Sequence, residues 1–384
     1  PMGIGPTPQG ATAVCTRRAV ATTLGLIGAG TLWGGAKSAF AGTGGRSAWR
    51  MPDESAPHQR TWMAFGASEQ IWCRRHLPEI QRNQDNIAQT IARYEPVTLL
   101  VRPSELALAR QLVGDTVELL ACPHDDLWLR DTGPVFVVTE AGDQSAIDFN
   151  FNGWGQKQAF AQDAQVAAFV ARHAGARRLR TELVLEGGGI EVDGQGTAIV
   201  TESCVLNANR NPGLGKARCE RELQRLLGLD KILWLPGIQG RDITDGHTDF
   251  YARFVRPGLV VAGYDPDPDS FDHAVTRRHL EILRAATDAQ GRKLRVLVLE
   301  APSRVRKRFD NDDFAAGYIN FYVCNGAVIA PEFGDPRTDS AAKRVLQEAF
   351  ADRDVVQLNI DALAAGGGGI HCTTQQQPRL PGRS

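Results

Sequence analysis

The chain has 384 residues, 42% of them hydrophobic and 23% charged, with a formal net charge of −1. That length fills one large domain or two smaller ones. A near-neutral balance without a basic run excludes a nucleic-acid partner held mainly by phosphate contacts.

The first forty-odd residues read as a targeting segment. Thr16-Arg17-Arg18 precedes small and apolar residues from Ala19 to Leu32, and Ala39-Phe40-Ala41 fits a small-x-small cleavage site, with Lys37 just before it. The pattern is that of a twin-arginine export signal over residues 1–41, followed by one domain over 42–384. The apolar run is short and diluted by Gly and Thr, so the expectation is export, periplasmic or extracellular, with no stable membrane insertion after processing. Seven cysteines occur without a CxxC pair, and a disulfide framework is not expected for a chain this long.

Beyond the signal, strand-like and helix-like segments alternate. Trp62 to Phe65 is a short apolar run, Leu77 to Tyr94 has helical spacing, and Val97 to Val101 reads as a buried strand. Ser104 caps an expected helix through Leu112, and Val117 to Ala121 reads as the next strand. Hairpin-like pairs then recur: Val135 to Thr139 with Ala146 to Phe151, Ile190 to Val192 with Thr197 to Thr201, Phe250 to Val255 with Leu259 to Tyr264, and Tyr318 to Val323 with Ala327 to Pro331. Each pair leads into a helix (Ala161 to His173, Ala217 to Leu227, His273 to Gln290, Ser340 to Phe350). Each helix leads into another apolar strand (Leu183 to Leu185, Ile232 to Leu235, Leu294 to Leu299, Val355 to Ile360). The repeat is strand–strand–helix–strand, about every sixty residues, which predicts modules arranged about an axis.

Loops rich in glycine or acids recur near the hairpin starts: Arg130 to Pro134, Glu186 to Gly189, Thr244 to His247, Ala316 to Tyr318, and Gly366 to Gly369. Modules about an axis bring such loops to one end. Several carry chemistry. The four glycines from Gly366 permit backbone torsions or close approaches that other residues do not, and Cys372 follows them among small polar neighbours. One reading is an incidental thiol on a flexible loop; the other is a nucleophile delivered into a cleft. In His247-Thr248-Asp249 the imidazole and carboxylate share a face if the segment is a strand, although a solvated strand end has the same pattern. Asp131, ahead of Thr132-Gly133-Pro134, reads either as an Asx-type turn cap or as a functional acid. Glu186 ends an apolar stretch, where a carboxylate is expensive unless paired. One thiol, one imidazole and three carboxylates suit a planar cation, because carboxylates hold a guanidinium through paired hydrogen bonds.

The set Trp128-x-Arg130-Asp131-x-Gly133-Pro134, Leu185-Glu186-Gly187-Gly188-Gly189, Thr244-Asp245-Gly246-His247-x-Asp249 and Gly367-Gly368-Gly369-x-His371-Cys372-x-Thr374-Gln375-Gln376-x-Pro378 resembles the agmatine deiminase family. The likeness runs from Met51-Pro52-Asp53-Glu54 to Pro378. It implies the five-bladed α/β propeller of the guanidine-modifying (pentein) superfamily, built of repeated ββαβ modules, which also includes bacterial peptidylarginine deiminases. It further implies that Cys372 attacks the guanidinium carbon, that Asp131 and Asp249 grip the guanidinium nitrogens, and that His247 serves as acid and then base. Glu186 orients His247 and raises its basicity. No metal or organic cofactor is implied, and the partner is a small guanidinium substrate. Members of the family are often dimers or larger, so a homo-oligomer is among the expectations.

Asp242 is expected at the distal amine of the substrate, because the position four before the histidine, acidic in agmatine-specific members, is Ile243 here. Trp128 and Trp154 are candidate walls for its aliphatic part, and the backbone at Gly369 is expected beside it. The alternatives are deimination of arginine residues in peptides, a catalytically silent receptor for cationic amines, and a zinc hydrolase using His247, Asp249 and His371. Gly213-Leu214-Gly215-Lys216 resembles a phosphate loop only superficially, since Arg210 replaces its first glycine and Ala217 its Ser/Thr.

Overall fold

The computed structural model describes residues 48–380, so the expected export signal lies outside the described residues. Among them no helix is long and apolar enough to cross a membrane.

The strands form five small sheets. The first holds β1 (His58–Phe65), β2 (Val97–Val101) and β3 (Glu118–Ala121), all parallel. The second holds β4 (Val135–Val138), β5 (Gln144–Asp148) and β6 (Arg177–Arg180); the third β7 (Glu191–Val192), β8 (Thr197–Thr201) and β9 (Lys231–Leu235). The fourth holds β10 (Ala252–Arg256), β11 (Leu259–Tyr264) and β12 (Arg295–Glu300), and the fifth β13 (Tyr322–Cys324), β14 (Ala327–Glu332) and β15 (Asp354–Asn359). In sheets two to five the first two strands are an antiparallel hairpin and the third runs parallel to the second. A parallel neighbour requires a long crossover, and a helix supplies it each time: Val166–His173, Lys216–Leu227, His273–Ala285 and Pro336–Ala349. Finally β16 (Thr374–Pro378) pairs antiparallel with β1, so the end of the chain completes the first sheet. This is the five-bladed α/β propeller that the resemblance implies, and its modules agree with the repeat.

Local chemistry explains most boundaries. Asn325-Gly326 joins β13 to β14 as a two-residue turn, with Gly326 at φ 81°. The helix Pro336–Ala349 begins four residues before the expected Ser340, because Asp335 caps it by accepting from the Arg337 N–H and Pro336 opens the first turn. The helix His273–Ala285 stops short of the expected Gln290, as Ala286 is extended and Asp288 turns the chain by accepting from the Gln290 and Arg292 amides. Helix Leu77–Ala92 buries Leu77, Ile80, Ile87 and Ile91 on one face, and its Gln84 bonds the backbone at Ala64 and Gly66 just past β1.

One expected strand is absent. Leu183 to Leu185 is a buried loop; Asn211 serves the Val184 N–H and C=O with its own amide, so the backbone is satisfied without a ladder. The ladder position goes to Arg177–Arg180, an exposed edge strand whose charges mark it as an edge. Cys73 is disulfide-bonded, while Cys122, Cys204, Cys219, Cys324 and Cys372 are free thiols.

Candidate active site

Each sheet sends one loop to the same place, and each loop ends just before a first strand. Asp131 precedes β4, Glu186 precedes β7, His247 and Asp249 precede β10, Asn320 precedes β13, and Cys372 precedes β16. The fourth loop contributes Asn320 rather than the expected Ala316 to Tyr318 stretch. His247 and Asp249 do not lie on a strand: His247 opens a short 3-10 turn over Thr248–Phe250, so a tight turn, not strand alternation, sets both groups in the site.

Cys372 is buried, with Sγ 3.8 Å from Oδ2 of Asp249. Its backbone N–H donates to Oδ1 of Asn320 at 3.3 Å. Burial, then Asp249 and Asp131, push the thiol well above its ordinary range, since each disfavours another negative charge.

His247 places Nε2 3.2 Å from Oε2 of Glu186 and Nδ1 3.7 Å from Oδ1 of Asp131. Burial alone would lower its pKa, but Asp131, Cys204 and Glu186 outweigh burial and hold the ring protonated. Glu186 is completely buried, and Nε of Arg210 lies 2.9 Å from both its oxygens. That guanidinium, with His247, overcomes the burial penalty and keeps Glu186 ionised. Arg210 also donates to Asp245 and to the Thr244 carbonyl, which fixes the turn that carries His247. Among the described residues, Glu186, Cys204 and His247 form one cluster with metal-ligand chemistry. Its carboxylate already carries the Arg210 guanidinium, so the arrangement is that of a hydrogen-bonded charge network.

Asp131 and Asp249 face each other across Gly188. A methyl group on Gly188 would sit 2.5 Å from His247 Nδ1, 2.9 Å from Asp131 Oδ1 and 3.1 Å from Asp249 Oδ2, so glycine is required by this close approach. Asp131 accepts from the Trp154 indole at 2.9 Å and from the Gly188 N–H at 3.2 Å. Trp154 reaches it from a left-handed backbone (φ 54°), a conformation that costs a bulky residue about 1–2 kcal/mol. Burial raises the Asp131 pKa, Asp249 and Glu186 add to that, and His247 opposes it. Asp249 is held low by its hydrogen bond to His371 in spite of burial. Two buried atoms here, His247 Nδ1 and Asp249 Oδ1, have no hydrogen-bond partner in the protein.

Trp128 fills the space beside Gly368 and packs on Trp72, with ring centroids 5.8 Å apart, and Trp154 serves as a donor to Asp131. Gly369 makes room for the Asn320 amide, 2.4 Å from where its Cβ would stand. The walls are instead those of a cavity of about 510 Å³ that opens from His247 and does not include either tryptophan. Phe250, Tyr251, Tyr264 and Phe314 line it together with Asp242, Asp265, Asp272, Asp312 and Asp313. Asp242 therefore borders the cavity as expected, while its carboxylate also accepts from the Thr244 and Gly246 amides. Two cations border it as well: Lys157 is paired with Asp245 at 2.7 Å, and Arg241 stacks on Phe271.

Sequence reading singled out Asp131, Glu186, His247, Asp249 and Cys372, and the fold brings all of them together. It missed Arg210, Cys204, Asn320 and the contact of His371. Only the need of Glu186 for a buried partner signalled one of them.

The family model for Porphyromonas-type peptidyl-arginine deiminase matches residues 50–378. A Streptomyces coelicolor relative is 42% identical over 338 residues, 86% of this chain and 99% of that protein. The agmatine deiminase of Pseudomonas aeruginosa is 38% identical over 353 residues, 86% of this chain and 95% of that one. Among solved structures, the agmatine deiminase of Enterococcus faecalis superposes with a TM-score of 0.83 at 32% identity, over 88% of this chain and 99% of that one.

Proposed function

The chain belongs to the Porphyromonas-type peptidyl-arginine deiminase family, and on that footing we propose that it hydrolyses agmatine to N-carbamoylputrescine and ammonia. The observation that carries this reading is the placement of Asp131, Asp249 and His247 around Gly188, with the Cys372 thiol beside Asp249 and with His247 Nδ1 and Asp249 Oδ1 left for a ligand.

The chemistry follows from the charges. Asp131 and Asp249 take the guanidinium N–H groups, and the cation offsets the negative field that holds the thiol protonated. The thiol proton passes to solvent as substrate binds, and the thiolate adds to the guanidinium carbon. His247, already an imidazolium, gives a proton to one nitrogen, and the C–N bond breaks to release ammonia. The amidino-thioether that remains is attacked by water, from which neutral His247 takes a proton. The C–S bond breaks, leaving a urea group on the product and restoring the imidazolium. Glu186 stabilises the protonated state of His247 and fixes its orientation.

The cavity supports an amine at the other end. Five carboxylates border it against two cations, of which Lys157 is paired with Asp245, so the excess negative charge attracts a distal ammonium and disfavours an α-carboxylate. Burial, Asp242 and Asp265 push Asp272 up to about 6, a strain that a bound ammonium relieves. Deimination of arginine in peptides is the second reading, favoured by the size of the cavity, 510 Å³. We also propose that the enzyme acts outside the cytoplasm, supported by Arg17-Arg18 and Ala39-Phe40-Ala41. Export that persists after both arginines are changed to Lys would contradict that.

Steady-state ammonia release from agmatine, free arginine and a short arginine-containing peptide, measured side by side, tests the substrate. Like-charge juxtaposition costs several kcal/mol, so kcat/KM for agmatine should exceed that for arginine by on the order of a hundredfold. Faster turnover of the peptide establishes the second reading, and no ammonia from any of the three removes the enzymatic one.

A further inference from the structure

Glu54 stands apart from the reacting groups, yet it is a heavily engaged carboxylate behind them. Its Oε1 accepts from Arg253 Nη2 at 2.7 Å and from the Val323 N–H at 2.8 Å. Its Oε2 accepts from Arg130 Nη2 at 3.1 Å and lies 2.8 Å from Nε2 of His371. Burial is outweighed by Arg253, His371 and Arg130, which keep Glu54 ionised. The other nitrogen of the same ring, His371 Nδ1, lies 2.7 Å from Oδ2 of Asp249. One imidazole thus joins a carboxylate of the guanidinium clamp to a carboxylate pinned by donors from three other parts of the chain.

We propose that Glu54 is a positioning residue for the deimination, acting through His371 to hold the Asp249 carboxylate in its reactive orientation. The inference rests on the guanidinium reading of the site. Neutralising Arg130 and Arg253 accounts for only part of the arrangement, because it leaves the His371 contact unexplained. Rotating the Asp249 carboxylate would break the Nδ1 contact or turn the ring, and turning the ring breaks the bond to Glu54, which three further donors prevent from following. The His371 contact thereby fixes Asp249 Oδ2, the oxygen nearest the Gly188 space, while Oδ1 has no protein partner. Cys372 lies 3.8 Å from the same Oδ2, so the relay also fixes the carboxylate beside the nucleophile. Donating to both carboxylates takes a ring protonated on both nitrogens; burial, Arg130 and Arg253 lower the His371 pKa, while Glu54 and Asp249 pull toward that doubly protonated form.

The test compares two alkylating agents at Cys372: a haloacetamidine, which carries a planar cation, and neutral iodoacetamide. Wild type should react preferentially with the amidine because the clamp holds it. Glu54→Gln keeps the side-chain shape and removes the charge. It should lower agmatine kcat/KM by about ten- to a hundredfold, the usual loss on removing a group that orients a functional ligand. It should also lower the amidine-to-iodoacetamide rate ratio at least about fivefold, whereas general loosening of the fold changes both rates together. His371→Gln, which leaves Glu54 its arginines, should lower the ratio similarly, and the double variant should fall no further than the lower single one. A ratio kept at the wild-type value in both variants, or losses that multiply in the double variant, would overturn the proposal. A wild type without preference for the amidine would instead overturn the guanidinium reading.

Discussion

Arg210 sets Nε 2.9 Å from both oxygens of Glu186, and the two side chains are buried together beneath His247. The consequence is a test of whether the imidazolium depends on that pair. Arg210→Met leaves Glu186 buried without its cation, a change that costs about 3–5 kcal/mol. Urea unfolding should show a loss in that range, and kcat/KM should fall more than about a hundredfold as Glu186 takes a proton and His247 loses its acceptor. Near-wild-type turnover at reduced stability would make the pair structural only.

Gly188→Ala is the second prediction. Its methyl would stand 2.5 Å from His247 Nδ1 and 2.9 Å from Asp131 Oδ1, in the space where the clamp converges. A displacement near 1 Å at a reacting centre costs about a hundredfold in rate. We expect that loss in kcat/KM, with the far-ultraviolet circular dichroism spectrum unchanged. Wild-type kinetics would mean that the substrate reacts elsewhere.

How far the sequence carried depended on whether a signal was local. Leu259–Tyr264 and Thr197–Thr201 are buried central strands rich in β-branched residues, and their boundaries were read correctly. Arg177–Arg180 was invisible because an exposed edge strand carries no apolar period, and Leu183 to Leu185 misled because a buried loop does. The reactive groups were legible because each sits in a distinctive loop beside glycine. Their partners were not: His371 contacts Glu54 across 317 positions and Asp249 across 122, and a single sequence holds no trace of such pairing. In the sequence Arg210 falls in a broken phosphate-loop pattern, and only the need of the buried Glu186 for a cation points to its role.

The raised thiol predicts the pH dependence of alkylation. Burial, Asp249 and Asp131 favour the neutral thiol, so iodoacetamide should inactivate the free enzyme more slowly at pH 7 than it modifies free cysteine, whose pKa is about 8.5. The rate should still be rising above pH 9. A plateau near pH 7 would show a thiolate already present. His247 has the opposite linkage: its folded-state pKa is raised, so its stabilisation is complete below 6.5 and is lost only as pH climbs through the raised value.

His279 predicts an acid limb of stability. It is buried, accepts from the Gly237 N–H at 3.1 Å and meets Tyr251 edge-on, with ring centroids 4.6 Å apart. Burial lowers its pKa from 6.5 to about 4. The unfolded chain therefore binds the proton first, and the stabilisation present above 6.5 is lost as pH falls toward 4, about 3 kcal/mol in all. Chemical unfolding from pH 7 to pH 4 should show a flatter profile in His279→Gln than in wild type. Parallel profiles would contradict it.

The covalent step is the centre of the account, and mass spectrometry of a reaction quenched during agmatine turnover reads it directly. The peptide containing Cys372 should carry the aminobutyl-amidino adduct, absent without substrate, and Cys372→Ala should release no ammonia above background. Substantial ammonia release by Cys372→Ala, or an adduct on another residue during full turnover, would contradict it.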